Sequence, residues 1–530
     1  MKSNALLIGM LALAVTACRN QTQEPGYKDL NAQAAEEYLE PLRPGYEGRN
    51  PYWNIYAKKF LYAPAFDFGE IEGAAQYRFV ITDKDGREIS FTADSPHAPL
   101  SPVWNDIPVG ETRLCVLAMR KSGEVLDTAG VRTFFRDFPF QGPYPEATVP
   151  YREAAVKAAF FIHNMPAVQY WSDHTEPDMS YHLNTYATKI IGATILNECI
   201  VAREIPARRE EALQRARNAA AFLIAQSRPA DAPLAWFPPT YYQDLVYSGR
   251  EENKNKTMTM EGCRAAGVFL TLYEATGEKQ YMDRALGIME TLRRLQREDG
   301  SLPIKVDFMT GEPVNDVGAM LGPLVSLIQR LERDYQIHDY APMRRKAEEW
   351  MRKVAITTFN LTGQFEDVSV LGLHLYENLT NCTAAPYAQY LLDKDTVSPE
   401  DLADAVDLIR LSEDQFVHWD FLPNKDGIKP FCAPCVFEQY KYEMAVDNSS
   451  CNVANAYLSL YEATGERLAL AKGKALIDNL TIVQDPITGR IPTLLEFRGK
   501  QKEYNTFFWI NCCVASIQTL LRMEKLNNHE

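Results

Sequence analysis

The chain has 530 residues, 46% of them hydrophobic and 24% charged, and a net charge of −15. This length exceeds what one ordinary hydrophobic core accommodates, so we expect two domains. The negative charge excludes a nucleic-acid-binding protein, because such a protein needs a basic surface to neutralise phosphates.

The N-terminus has the pattern of a lipoprotein signal peptide over residues 1–17. A basic start is followed by an apolar run that is too short to span a bilayer, and small residues then precede a cysteine. The segment VTAC resembles a bacterial lipobox, which implies lipid attachment at Cys18. We therefore expect an outer-membrane lipoprotein, held by its lipid alone and facing the periplasm. Residues 18–45 are polar and are predicted to form a tether.

Residues 46–138 carry a strand-like pattern. QYRFVIT and REISFTA alternate apolar and polar residues around an Asp-Gly turn, and two further runs flank a Ser-Gly turn, which predicts two hairpins. The run from Pro102 to Leu117 resembles the later strands of a fibronectin type III-like sandwich, and the domain has a suitable size. We expect a small β-sandwich that serves as a spacer, followed by a Pro- and aromatic-rich linker at 139–150.

Helical periodicity dominates the region 151–530. Apolar spacing and capping residues predict about twelve helices, and the fold class is therefore mainly α. The helices are expected near 151–164, 182–203, 207–227, 259–276, 278–298, 315–335, 341–359, 384–392, 398–416, 450–464, 466–480 and 511–524.

An internal repeat indicates how these helices are arranged. The segment YEATGE begins at Tyr273 and again at Tyr461, each time with Gly just past a helix end and the next helix starting at once. The two copies are six helices apart, which is half a turn of a ring of twelve. We therefore predict six αα-hairpins closed into an (α/α)6 toroid, with an open superhelix of repeats as the alternative.

The connections alternate between short and long, and the long ones follow every second helix. In a ring of antiparallel helices these long links emerge on one face. Because long structured loops in compact domains are usually functional, we expect the site on that face. The links are rich in aromatic, carboxylate and amide side chains, a mixture typical of saccharide clefts.

Two acids are the main catalytic candidates. Glu261 lies twelve residues before Tyr273, and Asp447 lies fourteen before Tyr461, so each begins an inner helix on opposite sides of the ring. Glycoside hydrolysis needs one protonated and one ionised carboxyl group, and such a pair across the mouth would supply them. Either acid can equally be a first-turn residue favoured by its helix dipole. Asp420 and Asp367 are the reserve candidates.

Substrate-binding candidates are aromatic rings for stacking, and polar or charged groups for hydroxyls or carboxylates. Arg264 follows Glu261 by one helical turn and can clamp a substrate carboxylate or form a structural ion pair. The tryptophans can serve as platforms or as packing residues, and the histidine can be purely structural. The set comprises Trp236, Tyr241, Tyr242, Arg264, His374, Trp419, Trp509 and Asn511.

No cofactor and no metal is expected. The histidines lack the close spacing of metal ligands, and Cys432-Ala-Pro-Cys435 has no second nearby pair to complete a zinc site. The expected partner is an oligosaccharide, processed by hydrolysis. Two alternatives are a polysaccharide lyase or uronyl C5-epimerase using Tyr, His and Arg, and a non-catalytic glycan-binding lipoprotein.

The combination of VTAC lipobox, small β-domain and C-terminal toroid resembles carbohydrate-active lipoproteins of Gram-negative bacteria. It is most similar to unsaturated glucuronyl hydrolases and to the β-glucuronidases of glycoside hydrolase family 154. This resemblance implies a uronic-acid-terminated oligosaccharide cleaved from its non-reducing end. Neither family's catalytic motif matches residue by residue, so the resemblance transfers no catalytic role.

Overall fold

The computed structural model describes residues 26–43, 52–246, 251–366, 376–421, 431–495, 497–498, 503–504 and 507–528. The predicted signal peptide, Cys18, Asp367 and His374 lie outside the described residues. Within the described ranges, every helix is too short or too polar to cross a membrane.

The first described element is helix α1 (Tyr27–Glu37), which packs on the helical body. Leu30 and Ala34 are buried along one side of this helix, and the Tyr38 hydroxyl donates a 2.6 Å hydrogen bond to Glu413. The tether prediction is therefore wrong for this segment. Its polar composition hid an apolar stripe with four-residue spacing, which is enough to dock one short helix.

The β-domain is one five-stranded sheet with the order β1-β5-β4-β2-β3. All neighbouring strands are antiparallel except β1 and β5. The strands are Lys59–Phe60 (β1), Gln76–Thr82 (β2), Glu88–Ala93 (β3), Gly110–Met119 (β4) and Val125–Arg136 (β5).

The predicted sandwich is therefore a single sheet among the described residues of this domain. Its buried face is covered by irregular chain and by the 3-10 helix Ser101–Asp106, where a second sheet was expected. The Trp104 ring stacks on the Phe134 ring, with 6.1 Å between their centroids, and the Phe66 ring lies 5.8 Å from the Phe134 ring. These aromatic side chains fill the volume that the inner face of a second sheet would occupy.

All twelve predicted helices are present in the C-terminal body, together with the four-residue helix α3 (Pro166–Gln169). The helices that form hairpins are Tyr151–His163 (α2), Gly192–Glu204 (α4), Arg209–Gln226 (α5), Thr259–Thr276 (α6), Lys279–Leu295 (α7), Gly322–Tyr335 (α8), Ala341–Met351 (α9), Asn381–Leu392 (α10), Pro399–Phe416 (α11), Asp447–Thr464 (α12), Arg467–Val483 (α13) and Ile510–Asn527 (α14).

The helices form a closed (α/α)6 toroid. The six inner helices α4, α6, α8, α10, α12 and α14 each contact the next, and α14 returns to contact α4. Each inner helix pairs with an outer one, and the last inner helix, α14, pairs with the first outer helix, α2. This closure confirms the predicted toroid and excludes the open superhelix.

The repeated YEATGE segment forms two equivalent helix ends. Gly277 and Gly465 have φ angles of 74° and 77°, the left-handed conformation that glycine adopts most easily. Each glycine N–H donates a 2.7 Å hydrogen bond to the carbonyl of the preceding tyrosine, Tyr273 or Tyr461. The two hairpins belong to α6 and α12, which lie three hairpins apart in the ring of six.

Every long link leads from an outer helix into the N-terminus of an inner helix, so all of them lie on one face, here called the rim. Four links contain short strands, which stiffen them by main-chain pairing. The strands are Lys256–Met258 (β6), Lys305–Asp307 (β7), Val417–His418 (β8), Cys435–Gln439 (β9), Tyr442–Ala445 (β10), Phe497–Arg498 (β11) and Glu503–Tyr504 (β12).

Candidate active site

Four charged side chains meet at the rim end of the ring and are here called the central cluster: Lys189, Glu261, Arg264 and Glu366. Arg264 forms an ion pair with Glu261, and its guanidinium also lies 3.7 Å from Glu366. Lys189 forms an ion pair with the same Glu366 oxygen. Positive and negative groups therefore alternate through the cluster.

Different parts of the rim supply these four residues. Glu261 and Arg264 lie in the first turns of α6, and Glu366 lies in the link before α10. Lys189 belongs to a π-helical turn, Ala187–Ile191, that directly precedes α4. Such turns displace side chains from the regular helical positions and are frequent at functional sites.

The cluster is buried except at Arg264. Glu261 is 1% exposed and Glu366 is 5% exposed, whereas half of the Arg264 side chain is open to solvent. Arg264 lies on an inner helix that is flanked by α4, α7 and α8. Its open surface therefore faces the mouth of the ring, where a ligand can reach it.

The environment shifts the pKa values of the two cluster carboxyl groups in opposite directions. Burial opposes ionisation of Glu366, but Lys189 and Arg264 outweigh it and hold the Glu366 pKa below its usual range. Burial raises the pKa of Glu261, and the nearby Glu366 charge adds to this rise. The pKa values of the two carboxyl groups are therefore shifted in opposite directions, and Glu366 is the more acidic of the two.

A third carboxyl group, Glu438 in β9, interacts with the cluster. It is partly exposed, and its side chain accepts a 2.8 Å hydrogen bond from Gln439. Burial raises the Glu438 pKa, and the charge on Glu366 adds to the rise. The rim therefore holds two interacting carboxyl groups, Glu366 and Glu438, whose pKa values are shifted in opposite directions.

An aromatic wall adjoins the cluster. The Trp509 ring, just before α14, lies 5.3 Å from the Tyr186 ring, and Tyr186 lies 5.6 Å from Tyr241. The Lys189 ammonium is 5.5 Å from the centroid of Trp509. Tyr186 and Tyr241 are buried behind Trp509, which is partly exposed. Trp509 therefore offers the surface on which the C–H face of a sugar ring can pack, while the neighbouring charged groups can bind its hydroxyls.

Two polar atoms near this wall are buried without a hydrogen-bond partner. One is the Oε2 of Glu261 and the other is the Oδ1 of Asn511 in the first turn of α14. Leaving buried polar atoms unpaired costs roughly 1–3 kcal/mol each, so a bound ligand that donates hydrogen bonds would recover this free energy.

Asp447 occupies a separate position. It is fully buried between α12 and α14, where it accepts hydrogen bonds of 3.0 Å from the Ser516 hydroxyl and 2.8 Å from the Asn448 amide. Burial raises its pKa well above the usual range. Helices α6 and α12 lie on opposite sides of the ring, as predicted. Glu261, however, shares Arg264 with Glu366 and is not paired with Asp447.

Four further predicted site residues lie away from the cluster, and three of them are in packing positions. Trp236 covers Gly287 and contacts Arg284 on the outer helix α7. Tyr242 packs against Phe222 of the outer helix α5 at 5.0 Å.

Trp419 is buried against the linker ring Phe140 at 5.0 Å and donates a 3.0 Å hydrogen bond to Glu413. Asp420 next to it is exposed and accepts from the Phe421 amide. Trp236, Tyr242 and Trp419 are thus packing residues, and Asp420 lies beside the linker. The sequence shows that these aromatic residues lie near the rim, but it does not show whether their side chains point to the mouth of the ring or to an outer helix.

Sequence reasoning missed Lys189, Glu366 and Glu438 as site residues; in the link before α10 it selected the adjacent Asp367 instead of Glu366. Lys189 lies in a run that reads as ordinary helix, TYATKIIGATIL, and only the π-turn brings it to the rim. Glu438 lies in a short strand within a long link. The apolar run CVF that precedes it could have indicated this strand. Among the described residues, groups of three or more His, Cys, Asp or Glu side chains able to hold a metal ion are absent.

The class of fold is thus a closed (α/α)6 toroid with an elaborated rim. No family model and no curated protein matches the sequence. Solved structures similar to the chain include a family 76 glycoside hydrolase from a bovine Bacteroides thetaiotaomicron strain (TM-score 0.47, 9% identity, 85% of this chain and 93% of that one).

Others are a family 76 mannosidase from Bacteroides thetaiotaomicron (TM-score 0.46, 11% identity, 72% and 99% covered) and cellobiose 2-epimerase from Spirochaeta thermophila (TM-score 0.46, 11% identity, 67% and 90% covered). The toroid assignment itself rests on the closed ring of helix contacts described above.

Proposed function

We propose that the protein is a glycoside hydrolase that cleaves oligosaccharides at the rim of the toroid. The observation that carries the proposal is the pair Glu366 and Glu438, whose pKa values are shifted in opposite directions in one partly open site. Glycoside hydrolysis uses one carboxyl group that holds its proton and one that is ionised, and environments that shift two pKa values apart identify candidates for these two roles.

In the proposed reaction, Glu438 donates its proton to the glycosidic oxygen as the bond from that oxygen to the anomeric carbon breaks. Glu366 either removes a proton from the attacking water or attacks the carbon itself, and water then completes the hydrolysis. Water thus supplies a hydroxyl to the released sugar and a proton that restores the acid. Arg264 and Lys189 favour the charged form of Glu366, and Trp509, which packs on the buried Tyr186, supports the sugar ring.

We propose further that the substrate ends in a uronic acid, as expected for a β-glucuronidase resembling family 154, and that cleavage is exo-acting. The open half of Arg264 supports this substrate, because a guanidinium can bind a carboxylate in a bidentate manner. The inner helices also begin at the rim, and the positive ends of their dipoles favour an anionic group there. The lipobox leads us to propose an outer-membrane location on the periplasmic side.

The test uses soluble protein beginning at residue 19, incubated with aryl β-glucuronides, uronic-acid-terminated oligosaccharides and α-mannosides. Hydrolysis in ¹⁸O-labelled water is expected to place the label in the released sugar. Glu366→Gln and Glu438→Gln should each lower kcat by about 10²–10⁴-fold. The matched control is Asp283→Asn on the outer helix α7, which removes an exposed carboxylate far from the rim.

Other outcomes would overturn specific parts of the proposal. An unsaturated, ultraviolet-absorbing product would indicate a lyase, an inverted uronate without cleavage would indicate an epimerase, and binding without turnover would indicate a glycan-binding protein. If Glu261→Gln and Asp447→Asn abolish activity while the Glu366 and Glu438 variants remain active, the acid pair is the one expected from the repeat.

A further inference from the structure

Lys189 contacts both halves of the candidate site. Its ammonium forms an ion pair with Glu366 and lies 5.5 Å from the centroid of the Trp509 ring and 5.9 Å from that of the Tyr186 ring. A cation at these distances is attracted to the negative face of an aromatic ring. Among the described residues that surround the cluster, Lys189 therefore links the carboxylate to the aromatic wall.

The charges that face Lys189 come from three other rim elements. Glu366 attracts it from the link before α10, Glu261 attracts it and Arg264 repels it from α6, and Glu438 in β9 interacts with it. The attraction of Glu366 outweighs burial and keeps the Lys189 pKa above its usual value. Lys189 is therefore a permanent cation between a carboxylate and two aromatic rings.

The backbone around Lys189 is held independently of this side chain. The π-helical turn is fastened by Thr188, whose hydroxyl donates a 2.9 Å hydrogen bond to the Pro239 carbonyl. On the other side, the Lys305 ammonium donates a 2.6 Å hydrogen bond to the main-chain carbonyl of Glu366. Replacing the Lys189 side chain should therefore change the site locally and leave both segments in position.

Building on the proposed function, we propose that Lys189 is a positioning residue that couples the Glu366 carboxylate to the Trp509 and Tyr186 platform. Loss of its charge would let the carboxylate reorient and would release the indole from the cation at the same time. Substrate stacking and carboxylate alignment are then one property of the site, because both depend on a single ammonium group.

The experiment compares Lys189→Met and Lys189→Arg with the unmodified soluble protein, and uses Lys157→Met on the outer helix α2 as the matched control. Lys157 is exposed and forms an ion pair with Glu153 one turn away. The first readout is the tryptophan emission of each protein minus that of its Trp509→Phe derivative, which isolates the Trp509 indole. This signal needs no turnover and therefore stands even if the protein is not a hydrolase.

We expect Lys189→Met to change the isolated Trp509 emission, and Lys189→Arg and Lys157→Met to preserve it. With an active substrate in hand, Lys189→Met should lower kcat/KM by about 10–100-fold and move the acidic limb of the pH profile to higher pH, with recovery in Lys189→Arg. An unchanged Trp509 signal in Lys189→Met, or an acidic limb that does not move, would overturn the coupling.

Glu366→Gln provides a second approach if Lys189→Met is poorly folded. It removes the ion pair while leaving the lysine in place, so the Trp509 emission should shift as the ammonium is released. An unchanged emission in Glu366→Gln would overturn the coupling. Where Lys189→Met does fold, the double variant Lys189→Met/Glu366→Gln should change the Trp509 emission by less than the sum of the two single changes. Additive effects would mean that the carboxylate and the platform are independent, and would overturn the proposal.

Discussion

The Lys59 ammonium of strand β1 lies 2.9 Å from the Asp137 carboxylate, and both side chains are buried where the sheet meets the toroid. Asp137 also lies 2.8 Å from the His418 ring of strand β8, and Lys59 donates a 2.5 Å hydrogen bond to the Val417 carbonyl. The β-domain is therefore joined to the ring by buried ionic contacts, which fix their relative orientation more strictly than apolar packing alone.

Lys59→Met should destabilise the protein by about 3–5 kcal/mol, because it leaves Asp137 as an insufficiently paired buried charge. Lys58→Met is the neighbouring control, since Lys58 is 62% exposed and pairs with Glu443 at 3.3 Å. Exposed pairs contribute about 0–1 kcal/mol. Urea unfolding of both variants checks the difference, and equal losses would contradict the role assigned to this junction.

Asp414 makes stability depend on pH. Its Oδ1 accepts hydrogen bonds from the amides of Leu61 and Tyr62, at 2.6 and 2.8 Å, and burial raises its pKa to about 6. A raised pKa means that the folded state binds the proton more tightly than the unfolded state. The resulting stabilisation is full below about pH 4 and is lost as the pH rises through 6, a change of about 3 kcal/mol.

Asp414→Asn keeps the acceptor oxygen and removes the titration, so it tests this dependence directly. Between pH 4 and 7 the unfolding free energy of the unmodified protein, minus that of the variant, should decrease with pH. A difference that is flat or increases with pH would show that Asp414 does not titrate in this window.

The two left-handed glycines should be sensitive to substitution. Gly277→Ala and Gly465→Ala are each expected to cost about 1–2 kcal/mol, because a β-carbon is strained at positive φ. Gly267→Ala, in the interior of α6, is the opposite case: a β-carbon there meets no atom within 4 Å. It should stabilise the helix by about 0.5–1 kcal/mol. Thermal unfolding of the three variants tests this: the midpoint temperature should fall for Gly277→Ala and Gly465→Ala and rise for Gly267→Ala.

The two tryptophans should separate stability from ligand binding. Trp419→Phe removes the hydrogen bond to the buried Glu413 and should cost about 1.5–3 kcal/mol in unfolding free energy without changing KM. Trp509→Phe should raise KM while leaving unfolding nearly unchanged. Paired measurements of KM and denaturant midpoint test this, and the reverse pattern would assign Trp419 to the substrate.

The sequence was most informative about the toroid. Helical periodicity and capping residues predicted all twelve hairpin helices, and the repeated hairpins at Gly277 and Gly465 predicted that these helices close into a ring. The β-sandwich was wrong because alternation within a strand reports that one face is buried, but not what covers it. Here Trp104 and Phe66 cover it from irregular chain, and no local pattern distinguishes that from a second sheet.

The candidate site was only partly predictable. Glu261, Arg264 and Trp509 follow from their positions at the starts of inner helices, since the ring brings these starts together. Lys189 depends on one π-helical turn, and Glu438 depends on a strand pairing inside a long link. Both are tertiary features, and a residue's own neighbours in sequence carry almost no information about them.

Ring closure also constrains the order in which the protein can fold. The first outer helix, α2, contacts the inner helix α4, but its hairpin partner is α14, the last helix of the ring. The middle hairpins can form without α14, but the part of α2 that packs on α14 stays uncovered until α14 is in place. Joining such distant segments costs loop-closure entropy and slows folding. We therefore expect removal of α14 to expose one side of α2 at the start of the ring and to prevent the ring from closing.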